Sequence, residues 1–189
     1  MMPLSPPAEF LVLHGRQSSL VIECPPGEAP LWRYWGPRLP EGSGPGTGLR
    51  DQRCLPSFNL DHDQPLSLVP GFGVGWFNQS ALLAHRGGRD FAQAFTGCTV
   101  HVTEPGRALH FELSDVVAGL RVDLHLRLDP ASDVLVAHST LTNLGDAPLD
   151  VQWLAAATLP LPGRCDQVRG ISRARSMPSK NRFWIGVPR

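Results

Sequence analysis

Apolar and polar side chains alternate without interruption from Leu120 to Leu128. Aliphatic residues occupy every second position, and the positions between them carry Arg121, Asp123, His125 and Arg127. A period of two residues places all the aliphatic side chains on one face of a β-strand. The pattern therefore predicts a half-buried antiparallel strand. Leu124 and Leu126 should face a core, and His125 and Arg127 should face the opposite side of the sheet.

Two further apolar runs follow this strand, at residues 134–142 and 149–159. The breaks between the runs are rich in Asp, Asn, Gly and Pro, which are the residues that form turns. Three strands in series with turns between them predict an antiparallel meander, which is the repeating unit of a β-sandwich.

Short apolar runs of strand character also occur over much of the remaining chain, and no heptad or amphipathic helix interrupts them. The chain contains 19 Gly and 19 Pro, a composition that favours short strands joined by many turns and disfavours long helices. We therefore predict an all-β fold built as an antiparallel sandwich. The additional runs are residues 10–14, 19–23, 31–35, 91–95, 98–103 and 108–113.

The composition limits the partners that the chain can attract. Its formal net charge is zero and its pI is about 7.0, so no overall field would gather nucleic acid or anionic lipid. No apolar run approaches the ~20 residues that cross a bilayer. The first residues also lack the basic and apolar regions of a secretory signal. We expect no nucleic-acid partner, no membrane partner and a cytoplasmic location.

The residues that could hold a metal ion or a cofactor have the wrong spacing for that chemistry. Residues 61–63 read Asp-His-Asp, but neighbouring side chains point in different directions and nothing completes a shell of ligands. The glycines of residues 71–75 lack the strand-then-helix context of a nucleotide loop. We therefore predict no metal and no cofactor. The four cysteines form no C-x-x-C pair and are expected to be buried free thiols: Cys24, Cys54, Cys98 and Cys165.

Aromatic and planar polar side chains are concentrated between residues 71 and 95. In sugar recognition, CH faces stack on aromatic rings while hydroxyls pair with amides and guanidinium groups. The alternative is that the aromatic residues of this segment anchor a long loop to the core. The candidate substrate-binding residues are Trp76, Asn78, His85 and Arg86.

Four segments, in order along the chain, carry a family resemblance. They are Leu31-Trp-Arg-Tyr-Trp-Gly-Pro-Arg-Leu-Pro40, Gly71-Phe-Gly-Val-Gly-Trp-Phe-Asn-Gln-Ser-Ala-Leu82, Asp133-Val-Leu-Val-Ala-His-Ser-Thr-Leu-Thr-Asn-Leu-Gly145 and Leu159-Pro-Leu-Pro-Gly163. In order and approximate spacing they resemble the start of the family 36 glycoside hydrolases, the bacterial α-galactosidases. The resemblance covers most of residues 8–171. It implies an antiparallel β-supersandwich, a galactose-mutarotase-like sandwich that forms the N-terminal domain of those enzymes.

The resemblance also implies a reaction. Family members hydrolyse terminal α-linked galactose with retention, using two Asp residues on a (β/α)8 barrel that follows the N-terminal domain. Retention requires two carboxylates held ~5 Å apart across the scissile bond. No carboxylate of this chain matches either role, so we predict no catalytic residue here and no activity from the chain alone. The implied partners are an α-galactoside oligosaccharide bound by the full-length enzyme, the catalytic barrel and, as a further candidate, a second copy.

The chain departs from the family pattern at two places. Trp76 and Asn78 stand where the family loop carries Asp and Arg, so the implied contact of that loop with galactose rests on different side chains here. Residues 172–189 are basic and unlike the family, and we expect them to be disordered or the product of a frameshift that removed the barrel. We also expect an exposed apolar surface where the barrel would pack, formed by Leu154, Leu159 and Leu161. The alternative is a stand-alone carbohydrate-binding or protein-interaction module.

Overall fold

The computed structural model describes residues 9–41, 64–76, 78–159 and 183–185. Within these residues the regular elements are ten β-strands and one turn of 3-10 helix at Phe72–Val74. None of the described residues lies in a helix long and apolar enough to cross a membrane. The strands are β1 (Glu9–His14), β2 (Ser18–Cys24), β3 (Leu31–Pro37), β4 (Leu82–His85), β5 (Gly97–Glu104), β6 (Ala108–Asp115), β7 (Leu120–Leu128), β8 (Leu135–Asn143), β9 (Asp150–Leu154) and β10 (Phe183–Ile185).

The strands form three sheets in which every pair is antiparallel. The first sheet has the order β1-β2-β3, the second has the order β10-β8-β7-β6-β5, and β4 pairs with β9 in the third. Strands β5 to β8 are joined in chain order as successive hairpins, which is the meander pattern. The prediction of an all-β antiparallel fold is confirmed.

Strand β7 lies in the middle of the five-stranded sheet and pairs along its length with β6 and β8. Its burial alternates as the sequence predicts, with Leu124 at 0% and Leu126 at 1% exposure while His125 and Arg127 are exposed. The prediction of the buried face is therefore confirmed.

A single hydrophobic cluster joins the three sheets in the described part of the chain. Leu13 and Leu20 enter it from the first sheet, Phe111 and Leu124 from the second and Leu82 from β4, each at no more than 1% exposure. Facing sheets bury their apolar sides against each other, and this removal of apolar surface from water is the main force that holds a sandwich together.

Two predicted strands differ from the structure. Residues 91–95 form a loop, because the side-chain amide of buried Gln93 donates to the carbonyls of Ala84 (2.8 Å) and Asp90 (2.6 Å) and so folds the segment back on itself. The run 149–159 is a strand only over β9, and that strand pairs with β4 instead of extending the meander beyond β8.

The apolar side chains at the end of β9 also differ from the expected arrangement. Leu154 and Leu159 are partly buried and pack against the core, so they do not form the expected exposed surface. Val151 and Trp153 are instead the exposed apolar residues of β9, at 48% and 40%. The prediction for Leu161 falls outside the described residues.

Three residues of the predicted tail are described, and they form β10, which pairs with β8. The other residues of 172–189 are outside the described ranges, as are residues 61–63, Cys54 and Cys165. Cys24 and Cys98 are free thiols, as expected, but they are half-buried at the ends of β2 and β5.

Asp133 ties the turn between β1 and β2 to the start of β8. Its carboxylate accepts hydrogen bonds from the backbone N–H groups of Gln17 (3.1 Å) and Ser18 (3.0 Å) and from the Ser18 hydroxyl (2.6 Å). A Cβ atom at Gly15 would lie 2.0 Å from a carboxylate oxygen of Asp133, so the close approach requires glycine. Burial raises the pKa of Asp133, but these hydrogen bonds outweigh it and the pKa is lowered.

Replacing Asp133 with Asn is expected to lower the free energy of unfolding by about 1 kcal/mol at pH 7, because the neutral amide keeps only one acceptor atom. A lowered native pKa means that the carboxylate stabilises the fold above its unfolded pKa and loses that effect as the pH falls. The difference in free energy of unfolding between variant and wild type should therefore shrink below about pH 4. Urea unfolding at both pH values measures it, with Asp146→Asn at an exposed position as the control. A gap independent of pH would contradict this role.

Candidate functional site

The loop that carries Trp76 is fixed by the backbone of a neighbouring loop. Within it, Phe72–Val74 makes a single 3-10 turn, and the N–H of Gly73 donates to the carbonyl of Gln93 at 3.0 Å. A Cβ atom at Gly73 would lie 2.5 Å from the carbonyl oxygen of Ala92, so glycine allows the two loops to touch. The indole N–H of Trp76 donates to the carbonyl of Gln79 at 3.1 Å. That bond sets the orientation of the ring.

Trp76 lines a cavity of about 240 Å³ beside the first sheet. Its apolar lining includes Val74 and the buried ring of Phe95, and its polar lining includes Glu28, Gln64, Ser67 and Thr96. Flat apolar faces combined with carboxylate, amide and hydroxyl groups are the side chains that recognise a sugar ring. The volume is below the usual range for a drug-sized ligand.

The four candidate binding residues are not brought together. Trp76 lines the cavity, whereas Asn78, His85 and Arg86 do not. Asn78 is exposed at the far end of the same loop. The sequence did not single out the polar lining residues Glu28, Gln64 and Thr96, because they lie in loops far apart in the chain and no periodic pattern links them.

His85 ends β4 and lies against β9. Its Nδ1 atom is 3.5 Å from the carboxylate of Asp150, and its Nε2 atom is 3.3 Å from the side-chain amide of Gln152. The backbone N–H of Gly88 also approaches Nδ1 at 3.3 Å. The imidazole thus bridges the two strands of the small sheet and the turn that follows β4.

Arg86 joins two hairpin ends at the edge of the sandwich. Its guanidinium donates to the carbonyl of Ala118 and to the side-chain oxygen of Asn143, both at 2.7 Å, and lies 3.4 Å from Asp90. The side chain is only 14% exposed. Both terminal nitrogens already contact groups of the protein, which makes Arg86 a supporting residue in this structure.

Asp115 holds the loop behind the Trp76 segment. It is 4% exposed, and its two oxygens accept the backbone N–H groups of Ala94 (2.7 Å) and Ala118 (2.9 Å). Buried Gln93 adds two hydrogen bonds through its amide nitrogen, while its oxygen has no partner in the structure. In the sequence Asp115 is only a carboxylate at the end of an alternating strand, and that pattern does not predict its bridging role.

The described residues offer little reactive chemistry. Burial raises the pKa of the Cys24 thiol to about 12 and that of Cys98 to about 11, so both remain protonated and poorly nucleophilic near neutral pH. No group of three or more His, Cys, Asp or Glu side chains in the described ranges is placed to hold a metal ion.

Comparison with known families identifies the domain type. Residues 28–171 match the glycosyl hydrolase family 36 N-terminal domain. The chain belongs to this family. No curated protein sequence matches it. Among solved structures, the α-galactosidase from Lactobacillus brevis is similar over 99% of this chain and 28% of its own, with 16% identity and a TM-score of 0.65.

Two other solved structures are similar to this family 36 domain. A variant of the family 36 α-galactosidase AgaA from Geobacillus stearothermophilus, in complex with raffinose, has 17% identity and a TM-score of 0.62. The galactosidase domain of the α-galactosidase-sucrose kinase AgaSK has 17% identity and a TM-score of 0.60. Each alignment covers 77% of this chain and 24% of the other. At these identities the likeness shows a shared fold, and this chain spans about a quarter of the structures that it matches.

Proposed function

We propose that the chain is the N-terminal β-sandwich domain of a family 36 α-galactosidase, an enzyme that hydrolyses terminal α-D-galactosides with retention. The observation that carries the proposal is the family match over residues 28–171, supported by a fold shared with α-galactosidases along most of this chain. Under this proposal residues 1–171 are the domain, and its principal partner is the catalytic (β/α)8 barrel.

The proposal assigns no catalytic residue to this domain. A retaining glycosidase needs a nucleophile and an acid/base, both carboxylates, facing each other across the sugar. Three carboxylates of the described residues already make structural contacts. Asp115 accepts two backbone N–H groups, Asp133 accepts three hydrogen bonds from the β1–β2 turn, and Asp123 contacts Arg121 and His110. The two reacting Asp residues would belong to the barrel.

We assign the sugar contact to the Trp76 end of the loop. The indole lines the cavity and can stack on a galactose ring, and Asn78 is exposed two residues further on. His85 and Arg86, which we also considered as binding residues, are engaged with Asp150, Ala118 and Asn143 and would support the loops from behind. The proposed ligand is an α-galactoside oligosaccharide. Half-buried free thiols at Cys24 and Cys98 suit a reducing cytoplasm, which is the proposed location.

The purified chain is expected to release no galactose from a chromogenic α-galactoside, because the proposal places both reacting carboxylates outside it. Sequencing the transcript beyond the end of this chain is expected to find a barrel with an Asp pair. Turnover that co-purifies with the chain would overturn the assignment of catalysis to the barrel. A transcript without a barrel would favour the stand-alone module.

Raffinose binding tests the role of Trp76. We expect weak binding by the chain, and we expect Trp76→Ala to weaken it about tenfold because the stacking face is lost. Trp153→Ala is the matched control, since Trp153 is 40% exposed on β9 and does not line the cavity. Isothermal titration calorimetry gives both affinities. Equal losses in the two variants, or none in Trp76→Ala, would contradict the assigned contact.

A further inference from the structure

Four histidines lie side by side across the five-stranded sheet, one on each of β5 to β8. The strand register places them in one row: His101, His110, His125 and His138. We call this row the histidine ladder. The distances between successive ring centroids are 5.4, 4.2 and 5.9 Å, and the central two rings are nearly parallel at 4°.

The ladder lies on the outer face of the sheet. Leu124 and Leu126 flank His125 along β7 and point into the core, so the imidazole of His125 must point outward. His101 and His125 are exposed, and His110 is half-buried with its side chain 21% exposed. Water and protons therefore reach the imidazole rings. The strands that carry the rings are held in place by the core on the opposite face of the sheet.

Few acidic side chains lie beside the ladder to balance positive charge on its rings. Asp123 on β7 contacts the ring of His110 at 3.1 Å, but its second oxygen is already 3.1 Å from the guanidinium of Arg121. Glu104 at the end of β5 pairs with Arg127 of β7 at 3.7 Å. Within the described residues of strands β5 to β8, the remaining charged group of this face is Glu112 on β6, which lies opposite Asp123. Strand β8 contributes no charged residue besides the histidine of the ladder.

Protonation would change the interactions along the row. Neutral imidazoles stack as aromatic rings across paired strands, and such pairs stabilise a sheet. Positive charges placed directly opposite each other destabilise it, and the two carboxylates beside the row, Asp123 and Glu112, are fewer than the four rings. The ladder is not among any group of three or more His, Cys, Asp or Glu side chains that the described residues place to hold a metal ion. The geometry points instead to a response to pH.

We propose that His101, His110, His125 and His138 form a pH-sensitive device that weakens the five-stranded sheet as the solution becomes mildly acidic. The proposal goes beyond the assigned glycosidase role and does not depend on it. It requires only the stacked row and the shortage of carboxylates beside it.

The direction of the effect follows from His125. Burial, together with the neighbouring His110 and His138, lowers the pKa of His125, and Asp123 opposes this only in part. A lowered native pKa means that the unfolded chain binds protons more readily. The stabilisation by neutral His125 is therefore present above the unfolded pKa of about 6.5 and is lost as the pH falls below it.

Thermal unfolding of the full chain between pH 8 and pH 5.5, with a chelator present to exclude metal binding, tests the proposal. The Tm of the wild type is expected to fall across this range, and in His125→Gln the fall should be smaller by about 3 °C. His101→Gln, at the end of the row with one neighbour, should reduce the fall less. His14→Gln, on β1 of the first sheet and outside the ladder, is the matched control. A fall in His125→Gln as large as in the wild type would overturn the proposal.

Proton NMR titration of the imidazoles provides a second measurement that does not depend on the stability of a variant at the centre of the row. In the wild type His125 is expected to titrate at lower pH than it does in His138→Gln, which removes one positive neighbour. An unchanged midpoint for His125 in His138→Gln would show that the rings titrate independently, and this result would also overturn the proposal.

Discussion

Leu124→Ala is expected to lower the free energy of unfolding by about 2–5 kcal/mol. Leu124 lies at the middle of β7, is 0% exposed and pairs with Phe111 on one side and Ser139 on the other. Removing its side chain forfeits the transfer free energy of the lost atoms and leaves a cavity between sheets that cannot collapse fully. The packed strands on both sides limit any relaxation.

Urea unfolding followed by fluorescence measures this loss, provided that the m-value stays unchanged. Leu144→Ala is the matched control, because Leu144 is 59% exposed at a turn and its truncation should change the stability by less than about 0.5 kcal/mol. Similar losses at the two positions would mean that the inward face of β7 is wrongly assigned.

Asp115→Ala is expected to have the second large effect, a loss of about 2–4 kcal/mol. The substitution leaves two backbone N–H groups, those of Ala94 and Ala118, without an acceptor in a region where the carboxylate is only 4% exposed. Each buried donor without a partner carries the cost of its lost hydration. The loop that contains Gln93, and through it the turn before Trp76, should loosen as well.

Hydrogen exchange gives the local readout for Asp115→Ala. The amides of Ala94 and Ala118 should exchange faster than in the wild type, while amides in the first sheet should change only through global unfolding. Asp146→Ala, at an exposed turn position, is the control and should leave both stability and exchange unchanged. Unchanged protection of the two amides would contradict the bridging role of Asp115.

The strands with regular alternation could be predicted from the sequence because their environment is simple. Strand β7 has one face in the core and the other face half-buried or exposed along its whole length. Its alternating apolar and polar side chains therefore predict both faces directly. The segment at residues 91–95 could not be predicted in this way. Its apolar residues lie in different surroundings, since Phe95 is 3% exposed in the core and Phe91 is 63% exposed.

Pairings between segments far apart in the chain could not be predicted from the sequence either. The pairing of β4 with β9 depends on two segments separated by the whole β5–β8 meander, and no local pattern encodes it. The same limit applied to the candidate site. An aromatic residue in a polar loop was enough to select Trp76, but the acceptors that engage Arg86 come from Ala118 and Asn143, whose positions follow only from the folded hairpins.

The pairing of β4 with β9 also has a consequence for the order of folding. Strands β5 to β8 are neighbours in sequence and can zip together hairpin by hairpin, which is fast because each loop is short. Strand β4 must wait for β9, which leaves the ribosome only after all four of these strands. Among the described strands, β4 is therefore unpaired for the longest time during synthesis. In this interval the nascent chain is most exposed to mispairing with another copy.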